Sequence, residues 1–114
     1  MVDSDTGDTI LPGMELEQAA GRLEALGNAT RLTIYRLLVR AGADGLAVGV
    51  IQRRLDIPAS TLSHHLRRLI EVGLVRQERQ GATLLCQASY PAMDDLVEYL
   101  TAECCLDARG ADAA

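Results

Sequence analysis

From Met14 to Leu26, apolar residues recur at three- and four-residue spacing: Leu16, Ala19, Ala20, Leu23 and Leu26. That period predicts an amphipathic helix with these side chains turned inward. Asn28-Ala29-Thr30 restarts the chain into a second helix reaching about Arg40, whose buried face is Leu32, Ile34, Tyr35, Leu38 and Val39. Gly42 to Gly45 is a loop. Leu46 to Leu55 reads as a third helix, marked by Val50, Ile51 and Leu55. Asp56-Ile57-Pro58 stops it, because the residue before a proline resists helical dihedrals. A fourth helix runs from Ser60 to Val72, with Ser60 or Thr61 placed to cap its first amides. Leu62, Leu66, Leu69 and Ile70 form its inner face, while Ser63, His64, Arg67 and Arg68 lie opposite.

After Gly73, in the glycine position that commonly ends a helix, the period changes. Leu74 to Arg79 alternates like a strand, Gln80-Gly81 reads as a hairpin turn, and Ala82 to Gln87 returns as a second strand. Pro91 suits the first turn of a last helix. Met93, Leu96, Val97 and Leu100 make that helix amphipathic, with its end near Cys105. The expected architecture is mainly α with a two-stranded β-wing, a winged helix-turn-helix. Residues 1–13 are expected to be a disordered arm, 14–106 one domain, and 107–114 a flexible tail. A helical chain of 114 residues can bury only a modest core and often completes it by dimerising.

The formal net charge of −5 runs against nucleic-acid binding until it is divided along the chain. Residues 1–28 and 80–114 each carry one arginine against six acids. Residues 29–79 carry nine arginines against four acids, a local +5. The basic segment is the one holding the helix-turn-helix, so the expected partner is double-stranded DNA, with the acidic ends weakening nonspecific association. On the fourth helix and wing, Ser60, Thr61, Ser63, His64, Arg67, Arg68, Arg79 and Gln80 are the candidate DNA contacts. Arginine matches a guanine edge bidentately, so Arg67 or Arg68 could read a base, whereas hydroxyls more often fix phosphates. Adjacent histidines point about 100° apart on a helix, which argues against metal at His64-His65; one is expected to face DNA and the other to pack. No nucleophile–base constellation or phosphate-cradling glycine loop is present, so an enzyme is not expected. No run is apolar enough for a membrane span, and the acidic first residues are unlike a signal peptide. Three cysteines without a secretory leader point to a reducing cytoplasm.

Leu26-Gly27-Asn28-Ala29-Thr30-Arg31-Leu32, Ser60-Thr61-Leu62-Ser63-His64-His65-Leu66, Gly73-Leu74-Val75 and Gly81, at these separations, resemble the ArsR/SmtB family of small dimeric winged-helix repressors. The resemblance runs from about Leu16 to about Cys105. It implies a homodimer paired through the first and last helices, and release from operator DNA when a metal, metalloid or oxidant engages cysteines or histidines. Two familiar sites of the family are missing. Residues 46–51 read LAVGVI, with no thiol, and the last helix has Asp94 and Asp95 but no histidine.

What remains is Cys86 on the second wing strand and the pair Cys104-Cys105, which resembles the arsenic- and antimony-responsive members with ligands on the last helix. Trivalent arsenic and antimony are soft and select thiolates. The inducer expected is therefore arsenic(III) or antimony(III), with no permanent cofactor and with Cys86, Cys104 and Cys105 as ligands. Those members often supply a third cysteine beyond the pair, and residues 106–114 contain none. A helix about 20 Å long separates Cys86 from Cys104, so convergence requires antiparallel pairing of last helices across a two-fold axis. If only two thiols meet, a monosubstituted organoarsenical matches them better than arsenite. The alternative is a thiol-redox or sulfide-responsive repressor of the same fold.

Overall fold

The computed structural model describes residues 14–108; the expected arm at 1–13 and most of the expected tail, 109–114, lie outside the described residues. In chain order the elements are α1 (Leu16–Leu26), α2 (Ala29–Ala41), β1 (Leu46–Ala47), α3 (Val48–Leu55), α4 (Ala59–Glu71), β2 (Val75–Gln80), β3 (Thr83–Ala88) and α5 (Tyr90–Thr101). The three strands form one antiparallel sheet in the order β1-β3-β2. Val75 pairs with Ala88 at the base of the hairpin and Gln80 with Thr83 at its tip. This is a helical domain with a winged helix-turn-helix arrangement.

Local chemistry sets most boundaries. The Asn28 side chain accepts from the Arg31 backbone N–H at 2.9 Å, capping α2. Ser89 caps α5 through Ala92 N–H, and Pro91 sits in that helix's first turn, where its missing N–H costs nothing. The start of α4 differs from expectation. Its N-cap is Pro58, extended at φ −61°, ψ 149°, and no side chain caps the helix. Proline's fixed φ lets the helix begin at Ala59, which moves Ser60 and Thr61 inside the first turn and away from the capping position.

Leu46-Ala47, expected as the start of the third helix, forms a short third strand instead. Leu46 pairs with Cys86 and Ala47 with Leu85. The unsatisfied edge of the wing offers partners for the backbone of these two residues. Gly45 makes the approach possible: at φ 72°, a Cβ here would lie 2.3 Å from the Cys86 carbonyl oxygen. The last helix also ends earlier than its period implies. It stops at Thr101, and Cys104 and Cys105 follow in turns, with Cys105 in the left-handed region at φ 62°.

The core lies between α2, α3, α4 and the sheet, centred on Ile34, Leu38, Ile51, Leu62, Leu66, Leu69, Leu74, Val75 and Cys86, all fully buried. Helix α1 contributes only Ala19, Ala25 and Arg22 as buried residues. Leu16, Leu23 and Leu32, expected to face inward, are 64%, 42% and 42% exposed. The reason is geometric. Small side chains bring α1 close to its neighbours, and Leu16 and Leu23 are left on its flank, while Leu32 lies on the exposed side of α2.

Gly42 and Gly45 offer an internal control. Both have positive φ, but a Cβ on Gly42 meets nothing within 4 Å. We expect Gly42→Ala to cost about 1 kcal/mol, from backbone conformation alone. Gly45→Ala should cost several times that, because strand β1 must leave the sheet. Urea unfolding of the two variants checks this; equal midpoints would remove the steric role of Gly45.

Candidate nucleic-acid interface and thiol site

At about 100° per residue, α4 carries three separate stripes. Leu62, Leu66 and Leu69 face the core and are buried. Ser60, Ser63, His64 and Arg67 occupy the opposite, exposed side. No side chain caps α4, so its first-turn N–H groups have no side-chain acceptor at the end where the helix dipole favours an anion such as a phosphate. Arg79 and Gln80 are exposed at the end of β2, beside the hairpin turn. A hollow of about 250 Å³ between α4 and the wing is lined by Ser63, Arg67, Gln77 and Leu84, among others. The surface therefore presents a rod-like helix face flanked by a strand tip, with hydroxyl, imidazole and guanidinium groups projecting.

Two expected contacts sit differently. Arg68 turns away from this surface: it is ion-paired with Glu24 of α1 and reaches Glu71 at 3.6 Å. Helix geometry places residue 68 on the third stripe, towards α1, so its guanidinium is taken up within the protomer and does not project as a base reader. Thr61 is half-buried on that same side. The histidines divide as their angle requires. His64 is exposed, whereas His65 Nδ1 lies 3.3 Å from Arg31 Nη1. Arg31 has no lone pair, so His65 must accept, which holds it neutral at Nδ1. Burial, then the Arg31 charge and His64, push the His65 pKa below the ordinary histidine value.

The three thiols fall into two environments. Cys86 is fully buried in the core, with Gln77 Nε2 donating to its sulfur at 3.5 Å. Burial pushes its pKa up, partly offset by that hydrogen bond. Its sulfur is enclosed among core side chains of its own protomer. Burial sets Cys86 apart from the two thiols expected to share a site with it. Cys104 and Cys105 are exposed, and their sulfurs lie 3.5 Å apart. Among the described residues no group of three or more His, Cys, Asp or Glu side chains converges.

Residues 26–78 match the family described as a helix-turn-helix domain. The HTH-type transcriptional regulator YgaV of Escherichia coli is 31% identical over 84 residues, 74% of this chain and 83% of that protein. A putative arsenical resistance operon repressor of Halobacterium salinarum is 40% identical over 74 residues, which covers 65% of this chain but 57% of that relative's length. The homodimeric winged helix-turn-helix DNA-binding domain of a possible ArsR-family regulator from Mycobacterium bovis superposes with TM-score 0.62 at 26% identity. That match covers 82% of this chain and 92% of the other. The chain belongs to the ArsR family of winged helix-turn-helix transcriptional regulators. Family membership makes it a regulator and not an enzyme. Within the ArsR fold α3 and α4 are the helix-turn-helix and β2–β3 the wing. Among the described residues no helix is long and apolar enough to cross a membrane.

The ArsR-family motif around Arg31 and the histidine pair gives a pH dependence with a definite sign. The folded state favours neutral His65, so the unfolded state binds more protons as pH falls through 6.5. The stabilisation is present above that value and is lost as pH drops through the lower folded-state pKa. We expect thermal stability to decline from pH 7 towards pH 5 with a component absent in His65→Asn. Parallel pH profiles for the two proteins would remove His65 as its source.

Proposed function

We propose that the protein is a homodimeric repressor that binds operator DNA through α4 and the wing, and leaves it when a trivalent metalloid engages Cys104 and Cys105. The observation that carries the DNA-binding half is the exposed stripe Ser60, Ser63, His64 and Arg67, set on a helix whose opposite side is anchored in the core. Arg67 is the side chain free to approach a guanine edge; serine hydroxyls, first-turn amides and the wing residues Arg79 and Gln80 suit phosphates. Pairing of two copies is supported by the apolar side chains that α1 and α5 leave in solvent: Leu16, Leu23, Val97 and Leu100. The cytoplasm is the compartment in which such a regulator meets both DNA and reduced thiols.

The inducer half rests on two exposed sulfurs 3.5 Å apart. A monosubstituted arsenic(III) hydroxide forms one As–S bond to each thiol and releases two waters, so two ligands satisfy it. Arsenite or antimonite has a third valence that the pair alone does not fill. With Cys86 enclosed, the trivalent organoarsenical is the better-matched species, and it needs no metal or cofactor held beforehand. The same closeness supports a second reading, in which an oxidant such as a peroxide takes two electrons and two protons from Cys104 and Cys105, and a disulfide replaces the arsenic adduct.

Intact mass after phenylarsenous acid separates these readings. We expect one adduct per chain with two thiols consumed and Cys86 titratable only after unfolding. Cys104→Ser should bind DNA normally and fail to respond; induction that survives in this variant takes Cys104 out of the site. Arg67→Ala should lose about fivefold or more in affinity for a selected duplex, in line with roughly 1–3 kcal/mol for a base contact, while keeping its melting temperature.

A further inference from the structure

The third stripe of α4 holds residues 65 and 68 and leads to the C-cap Val72, and each of these three is held by the α1–α2 corner. Arg31 Nη1 meets His65 Nδ1 at 3.3 Å, while Arg31 Nε donates to the Ala25 carbonyl at 2.7 Å. Glu24 pairs with Arg68. Arg22 Nε donates to the Val72 carbonyl at 2.8 Å. Arg22 is 8% exposed, the one buried charged side chain among the described residues. It has no carboxylate partner among them. Its charge is set against the C-terminal end of α4, where the unsatisfied carbonyls carry partial negative charge. Gly73, at φ 82°, leaves room for this, since a Cβ there would lie 3.0 Å from Arg22 Nη2.

A core contact would hold α4 equally well with leucines. Charged groups at three successive turns do something leucines do not: their hydrogen bonds fix rotation and sliding of one helix against another, because each has a narrow distance and angle. On the other side of these contacts are the start of α2, which carries Arg31 and is tied to α1 through the Ala25 carbonyl, and α1 itself, whose Leu16 and Leu23 face solvent on the surface proposed for pairing. We propose that Arg22, Glu24 and Arg31 are positioning residues. Together they lock the DNA-reading helix to the pairing helix and so set the separation of the two reading helices in the dimer. This rests on the DNA-binding reading of α4 above, and none of the three residues is among the proposed DNA contacts.

The consequence is selectivity for half-site spacing. Two reading helices at fixed separation and orientation fit half-sites at one set spacing and lose contact when it changes by a single base pair. If the lock loosens, each helix still meets its own half-site, but the spacing matters less.

The test uses a palindromic duplex selected by the wild-type protein from a randomised pool, and the same duplex with one base pair inserted at its centre. For the wild type we expect a penalty of at least tenfold for the insertion. Arg22→Gln and Arg31→Gln should keep a dimeric mass by sedimentation and bind unrelated duplex within about twofold of wild type. Their insertion penalty should fall below about threefold. Glu24→Gln, at an exposed ion pair that cannot unfold the chain, should shift the penalty in the same direction by a smaller factor. An undiminished penalty in all three folded, dimeric variants would overturn the positioning role, and so would a fall in Tm with unchanged spacing selectivity. Failure of the wild type to enrich any duplex would instead defeat the DNA-binding reading itself.

Discussion

Helix α4 must satisfy three different neighbours at once, and the rest of the molecule is arranged around that constraint. One stripe, Leu62, Leu66 and Leu69, is spent on the core. Burying three leucines stabilises by several kcal/mol, which makes the helix a rigid rod and not a marginal one. A second stripe is left bare. The third is fastened to α1 and α2 by guanidinium groups. Hydrophobic burial holds α4 without choosing its register closely; the polar contacts choose the register and contribute less energy. Each kind of force supplies what the other lacks.

Much of this was legible in the residue pattern, because helices with a wide apolar face announce themselves by period. The five helices, the hairpin and the winged arrangement all follow from spacing and from a few punctuating residues: Asn28, Pro58, Gly73 and Pro91. Three features were not legible. Leu46-Ala47 has no strand period in two residues, and only the unpaired edge of β3 makes it a strand. The first turn of α4 offers Ser60 and Thr61 as caps, yet Pro58 starts the helix because its φ is already set. And Arg68 sits in sequence beside Arg67 as though both faced outward. The 100° step between neighbours separates them, and Glu24, 44 residues away, claims one of them. An i-to-i+3 argument within one helix cannot see a partner on another.

The thiols show the same division between local pattern and tertiary placement. Chemical type alone made Cys86, Cys104 and Cys105 equivalent soft ligands. Placement does not. Cys86 occupies a sheet position that alternates inward, where a small apolar side chain packs and a thiolate is disfavoured. Cys104 and Cys105 stand past the end of α5, outside any packed surface. Under the proposed inducer reading, two exposed thiols per chain match a singly substituted arsenical better than arsenite.

Exposure of leucines on α1 has a complementary logic. An α1 that buried Leu16 and Leu23 within its own protomer would stand farther from α4, and the Arg22 guanidinium could not reach the Val72 carbonyl. Ala19 and Ala25 at the contact bring α1 close enough for that reach, and they push the leucines to the outer flank. Close approach to α4 and an apolar outer surface are therefore one sequence decision. The same helix becomes both the part that holds the reading helix in register and the part most in need of a second copy.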